Sequence, residues 1–200
     1  MTCTRHAGLR SLRSVGDPID VVSGANFYEA LDAKLTAPLP FEWWRHYSSA
    51  RSDQLGPLGW GHTHEYDRSL VFDIDGITYC GPGGDWVMFP IPVQDGETVS
   101  GSGLILVRVD THTYQIKALG QPIMEFVFVD GDTIAPLKRL FRVFEQHQMV
   151  FYYHPDGRLK GIVDADQRRI RVDTTDAGLI SGLVLLDQDR QLVTYRYDNV

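Results

Sequence analysis

Two aromatic strand-and-turn units, Phe151-Tyr152-Tyr153-His154-Pro155-Asp156-Gly157-Arg158-Leu159 and Leu192-Val193-Thr194-Tyr195-Arg196-Tyr197-Asp198, bracket a weaker third copy at Ile170-Arg171-Val172-Asp173-Thr174-Thr175-Asp176-Ala177-Gly178-Leu179. The theme, alternating apolar residues followed by a turn with Asp and Gly and then Leu, returns at a period of roughly twenty residues. A unit of this size cannot bury its apolar face alone. Each therefore needs a neighbour stacked on it, and the stack has to be terminated. The last unit breaks off within its turn, so the sequence reads as the opening section of a larger repeat shell whose chain continues beyond Val200 or pairs with a partner carrying further repeats.

Upstream of the repeats, nearly everything from Asp17 onward also has the two-residue period of strands. Leu39, Phe41, Trp43, Arg45 and Tyr47 alternate with Pro40, Glu42, Trp44 and His46. Asp75-Gly76 between Leu70–Ile74 and Ile77–Tyr79 is a strong hairpin signal. Comparable turns at Pro82-Gly83-Gly84-Asp85, Asp130-Gly131 and Asp156-Gly157 separate further β-rich runs, which predicts an all-β, antiparallel array. One stretch, Asn26–Lys34, with Phe27, Leu31 and Leu35 four apart, reads as a helix, although Phe27, Glu29 and Leu31 also alternate as in a strand. The expected organisation is a flexible N-terminal arm at 1–16, a β entry region at 17–145 and the first repeats, truncated, at 146–200. No hinge separates the last two, so one continuous sheet is expected.

Composition narrows the function classes. With 43% apolar and 11% aromatic residues the chain can build a core. A net charge of −7 and interspersed Arg and Asp leave no basic stripe for nucleic acid. No run of eighteen apolar residues predicts a membrane span. The arm carries Arg5, Arg10 and Arg13 without an apolar core, so it is not a secretory signal. Cys3 and Cys80 are too few for a disulfide framework, and both are expected as free thiols.

Three runs in order, Gly16-Asp17-Pro18-Ile19-Asp20-Val21-Val22-Ser23-Gly24, Pro38-Leu39-Pro40-Phe41-Glu42-Trp43-Trp44-Arg45-His46-Tyr47-Ser48-Ser49 and Gly56-Pro57-Leu58-Gly59-Trp60-Gly61-His62, resemble the entry region of bacterial Rhs proteins. The later repeats resemble that family's YD repeats. The resemblance, over about residues 16–200, implies an all-β cocoon of antiparallel hairpins that encapsulates a C-terminal toxin. It further implies a polymorphic-toxin effector of the type VI secretion system, held in the cytoplasm of the producing bacterium and then secreted by a route independent of a signal peptide. The implied partners are the remainder of the shell, the enclosed toxin, and secretion spike proteins or a chaperone. No cofactor is implied, and any toxic enzymatic activity would lie in a domain outside this chain. The family's Pro-Val-x-x-x-x-Gly-Glu motif, linked to self-cleavage, is degenerate here: Pro18 and Gly24 are kept, whereas Ile19 replaces Val and Ala25 replaces Glu. The alternative is a cell-surface YD-repeat module binding carbohydrate or a receptor.

Among the side chains, His62 and His64 fall on one face of a strand with Tyr66, where two imidazoles could begin a metal site with His46 or His112 as a third ligand. The simpler reading has His and Tyr bonding the neighbouring turn. A metal-assisted hydrolase would centre on His62, His64 and Glu65. Trp43, Trp44, Trp60 and Trp86 could stack on sugars, but packing is the more economical role. Trp43, Trp44, Trp60, Tyr153, Tyr195 and Tyr197 are the expected packing residues that join hairpins. Asp164-Ala165-Asp166 and Asp187-Gln188-Asp189 lack the glycine and distant Glu of a calcium loop and read as turn caps.

Overall fold

The structure, a computed structural model, describes residues 24–129, 131–143 and 146–198. Every described element is a strand, apart from single 3-10 turns at Ser49–Arg51, Pro82–Gly84 and Leu186–Gln188. The entry region contributes β1 (Phe27–Leu35), β2 (Phe41–Ser48), β3 (Leu55–Gly56), β4 (Gly59–Trp60) and β5 (His62–His64). A hairpin and one further strand follow as β6 (Ser69–Asp73), β7 (Gly76–Cys80) and β8 (Trp86–Phe89). The chain then runs through β9 (Thr98–Gly101), β10 (Leu104–Arg108), β11 (Thr113–Lys117), β12 (Ile123–Val127) and β13 (Ile134–Phe141). It ends with β14 (Gln148–Tyr153), β15 (Leu159–Val163), β16 (Arg169–Thr174), β17 (Ile180–Leu185) and β18 (Arg190–Thr194).

The fold is all-β, and every pairing is antiparallel. From β9 to β18 each strand pairs with the next in sequence, a meander in which local turns decide the topology. Besides β12, β13 is long enough to serve two further neighbours. Its Ile134–Pro136 end pairs with β6, while Arg139–Phe141 pairs with β14. The β13–β14 register carries the sheet from the entry region into the repeats without a break.

Two expectations are corrected here. The first entry strands do not join that sheet: β1, β2 and β5 form one of their own, with β3 and β4 as a separate short hairpin. Residues 65–68 redirect the chain between the two layers. The helix expected over Asn26–Lys34 is strand β1, whose pairing with β2 slips by one residue between Leu31 and Ala33. That bulge leaves Asp32 without a partner in the register and changes the phase of the strand, so Leu31 is exposed while Leu35 is buried, and the spacing of four does not mark one face.

The β6–β7 hairpin forms, but its two-residue loop is Ile74-Asp75, one residue earlier than the expected Asp75-Gly76, with Asp73 opposite Gly76, the first residue of β7. Gly76 is required by close approach. A Cβ there would lie 2.5 Å from the Phe89 carbonyl oxygen, at a φ of +156°.

One core runs through both layers. Phe41 and Trp43 on β2 are fully buried, and Tyr66 stacks between Phe41 and Phe151 with ring centroids 5.7 and 5.0 Å away. On the repeat strands Met149, Phe151, Ile162, Ile170, Val172, Leu183 and Leu185 face the same interior. The opposite face is polar: Gln115, Glu125, Arg139 and Gln148 form a hydrogen-bonded ladder across β11 to β14. This is the half-buried alternation of an antiparallel sheet covered on one side.

Candidate functional site

The seam where the entry sheet meets the repeats holds a part-buried polar network. At one end, Tyr195 Oη donates to Asp32 Oδ2 at 2.5 Å and accepts from Trp43 Nε1 at 3.0 Å. Arg45 donates to both oxygens of Asp32, from Nε at 2.9 Å and from Nη2 at 3.3 Å. Its guanidinium also lies over the rings of Tyr28 and Tyr195. Burial alone would raise the Asp32 pKa, but the bonds from Arg45 and Tyr195 overcome it and hold the carboxyl below its ordinary range. Asp32 is the residue left out of the β1–β2 register, so the latch between the first strand and the last aromatic unit is made at a register slip.

The two bracketing aromatic units use their side chains in parallel ways. Tyr153 Oη donates to the Leu137 carbonyl at 2.6 Å, and Tyr197 Oη donates to the Ile180 carbonyl at 2.6 Å. Two residues earlier, Phe151 packs on Tyr66 and Tyr195 bonds Trp43, so each unit sends one aromatic to the entry region. Burial, only partly offset by the charge on Arg45, pushes the Tyr197 phenol up to about 12. Further ties cross the seam: the Ile180 N–H donates to the Pro57 carbonyl at 2.8 Å, and Arg168 Nη2 donates to the Thr36 carbonyl at 3.0 Å.

A second polar chain starts at His46, which is buried with Nδ1 3.2 Å from Glu29 Oε1 and Nε2 3.1 Å from Glu65 Oε2. Glu65 also pairs with Arg68, which in turn donates to Tyr79 Oη at 2.7 Å. Burial opposes the Glu65 charge, but His46 and Arg68 outweigh it and keep the carboxyl below its ordinary range. Glu65 and Arg68 open onto a cleft of about 580 Å³ between the layers, lined also by Glu42, Trp44, Trp86 and Met124.

The histidines that stand out in the sequence separate in the fold. His64 is buried, stacks on Trp43 at 4.4 Å and accepts the Tyr66 N–H at Nδ1. Burial, with the nearby His46, drives its pKa down to about 3. His62 lies against Tyr47 and donates from Nδ1 to the Trp60 carbonyl at 2.8 Å. Among the described residues no three His, Cys, Asp or Glu side chains converge as metal ligands, so the structure does not assemble His62, His64 and Glu65 with His46 or His112.

Of the expected packing residues, Trp43 is fully buried and Trp44 lines the cleft. Tyr153, Tyr195 and Tyr197 all cross-link strands. Trp60 is a correction: it is 54% exposed, because on the short strand β4 the buried position belongs to Gly59, against the Tyr197 ring. Asp164 caps its turn as expected, accepting from the Asp166 and Arg168 N–H groups, whereas Asp187 accepts from the backbone N–H and the guanidinium of Arg169 on β16. Cys80 is disulfide-bonded rather than a free thiol. Of the degenerate cleavage motif, Gly24 is exposed and Ala25 is buried. Pro18, Ile19 and Cys3 lie outside the described residues. No local pattern in the sequence marks Asp32, Arg45, Glu65 and Arg68 as joining residues.

Residues 16–89 match the model of a family described as a domain of unknown function, DUF6531. No curated protein matches the chain. The matched segment ends at Phe89, the last residue of β8, so it supplies Asp32, Trp43 and Arg45 to the seam while Tyr195 comes from beyond it. No helix among the described residues is long and apolar enough to cross a membrane.

Proposed function

We propose that this chain is a structural section of an Rhs polymorphic-toxin shell, in which the entry sheet caps the first YD-type repeats and the meander forms the wall around a toxin. The observation that carries this reading is the paired use of the aromatic units. Phe151 and Tyr195 anchor each unit to the entry region, and Tyr153 and Tyr197 tie it back to earlier carbonyls. Repeated bricks joined by the same contacts suit a wall built by addition of hairpins. The resemblance to Rhs proteins supplies the remaining roles: delivery as a type VI effector, with spike proteins or a chaperone as partners and no catalysis by this section itself.

The test is electron cryomicroscopy and limited proteolysis of the native protein from its producing cell. A hollow β wall around a protease-resistant inner chain is expected. A solid particle with no enclosed chain would remove the reading. The exposure of Trp60 beside Leu55 favours a second reading, a carbohydrate- or receptor-binding module. Glycan-array binding lost in Trp60→Ala would support it, and an array with no signal would dismiss it.

A further inference from the structure

We propose that Tyr28 and the open margin of β18 form a docking surface for a further aromatic strand-and-turn unit, a polypeptide strand that adds to β18 and seats an inward ring on Tyr28. This rests on the shell reading and names the next contact in it. The seam advances in one direction. Phe151 on β14 packs on Tyr66, which follows β5, whereas Tyr195, just after β18, bonds Trp43 on β2 and Asp32 on β1. Between the two bracketing units the contacts therefore cross the entry sheet from its β5 side to β1, in the order β5-β2-β1. There β1 and β18 approach each other.

Tyr28 is the side chain that this advance leaves open. Opposite Tyr47 in the β1–β2 register, it shares the face that carries Trp43 and Arg45 toward the repeats. The Arg45 guanidinium lies 5.8 Å from the Tyr28 ring centroid and 5.9 Å from that of Tyr195, so one cation joins the two tyrosines. Tyr195 is half-buried, whereas Tyr28 is 52% exposed. A ring already steadied by a cation loses little freedom when a partner covers it. Beside it, β18 has β17 as its one hydrogen-bonded neighbour among the described residues and so offers backbone groups to an added strand. What that strand must carry follows from the units in place: each sends one aromatic to the entry region, and the next in line meets Tyr28. In a second copy of this chain the equivalent Tyr195 is already bonded to its own Asp32 and Trp43, so the occupant is a strand whose inward aromatic is uncommitted.

The probe is a synthetic peptide of residues 190–198, Arg190 to Asp198, free of the contacts that occupy its tyrosines in the fold. With 3-fluorotyrosine placed at position 28 of the 200-residue chain, the peptide should produce a saturable ¹⁹F shift. A peptide with serine at both tyrosine positions should not. Binding read independently from the β18 amides should weaken about tenfold or more in Tyr28→Ala, the scale for truncating a well-packed interface aromatic, and be retained in Tyr28→Phe. No saturable shift up to the solubility limit of the peptide would overturn the proposal, as would an equal shift from the serine peptide or binding undiminished in Tyr28→Ala. The shell reading fails separately. A hollow native wall with Tyr28 open to solvent would remove the docking surface and leave the shell, and a peptide seated on Tyr28 in a chain whose native particle is solid would do the reverse.

Discussion

His64 and Asp67, three residues apart, carry opposite pH liabilities. Burial holds the His64 pKa near 3, below the ordinary 6.5, so the stability it permits is present above pH 6.5 and is lost as pH falls toward 3. Burial raises the Asp67 carboxyl from 3.8 to about 6, with Arg51 only partly opposing it. Its contribution runs the other way: the native state favours the proton, so stability falls as pH rises from 3.8 to 6. In the window they share the two slopes cancel. Asp67→Asn removes one of them. Its urea midpoint should exceed that of the unmodified protein at pH 7, by up to about 3 kcal/mol in stability, because each tenfold change in proton affinity is worth roughly 1.4 kcal/mol. Between pH 6 and 4 it should then fall steeply, exposing the slope that His64 contributes. A midpoint profile parallel to that of the unmodified protein would refute this account.

At the scale of elements, the bulge in β1 shows both what the sequence reveals and what it hides. Strand alternation in β2, β8 and β14 is readable because one face of each meets a continuous apolar layer, and the β6–β7 hairpin because its loop chemistry is local. The β1 strand is obscured because the bulge at Asp32 breaks the alternation and puts Leu31 and Leu35, four apart in sequence, on opposite faces of the sheet. The latch itself is illegible. Asp32 and Tyr195 are 163 residues apart, and no local pattern announces that a bulge on the first strand will meet an aromatic after the last. Trp60 misleads for a related reason, as its bulk suggests burial while the adjacent Gly59 holds the inward position. The latch gives a direct test. Asp32→Ala leaves Arg45 and the Tyr195 hydroxyl without their acceptor in a site where Asp32 is only 14% exposed. A loss of about 2–3 kcal/mol is expected in chemical denaturation, the scale for stranding buried donors to a charged group. Lys34→Ala on the same strand breaks only a surface pair with Glu42 and should cost less than about 1 kcal/mol. Equal effects of the two substitutions would show that the bulge carboxylate fastens nothing.

For the whole molecule, the meander leaves a margin at β18, which has β17 as its one hydrogen-bonded neighbour among the described residues. An open margin of unpaired N–H and C=O groups is a template for another strand. Arg190 and the bulge opposite Leu183 and Val184 blunt it without closing it. The polarity of its groups can be read from the backbone. The Tyr195 N–H donates inward to the Ser181 carbonyl at 2.8 Å, and successive N–H groups along a strand alternate sides, so the Thr194 N–H points outward. Proline at 194 would remove an outward donor while sparing the bonds to β17. The 200-residue chain is therefore expected to self-associate with rising concentration in sedimentation velocity, and Thr194→Pro should shift the distribution toward monomer. Its denaturation midpoint should stay within about 1 kcal/mol of the unmodified protein, since the lost N–H bonds no group in the fold. Association unchanged by Thr194→Pro would place the contact elsewhere, and a monomer at every concentration would mean that β18 is not an adhesive edge, which would also weaken the case for a wall that grows by strand addition.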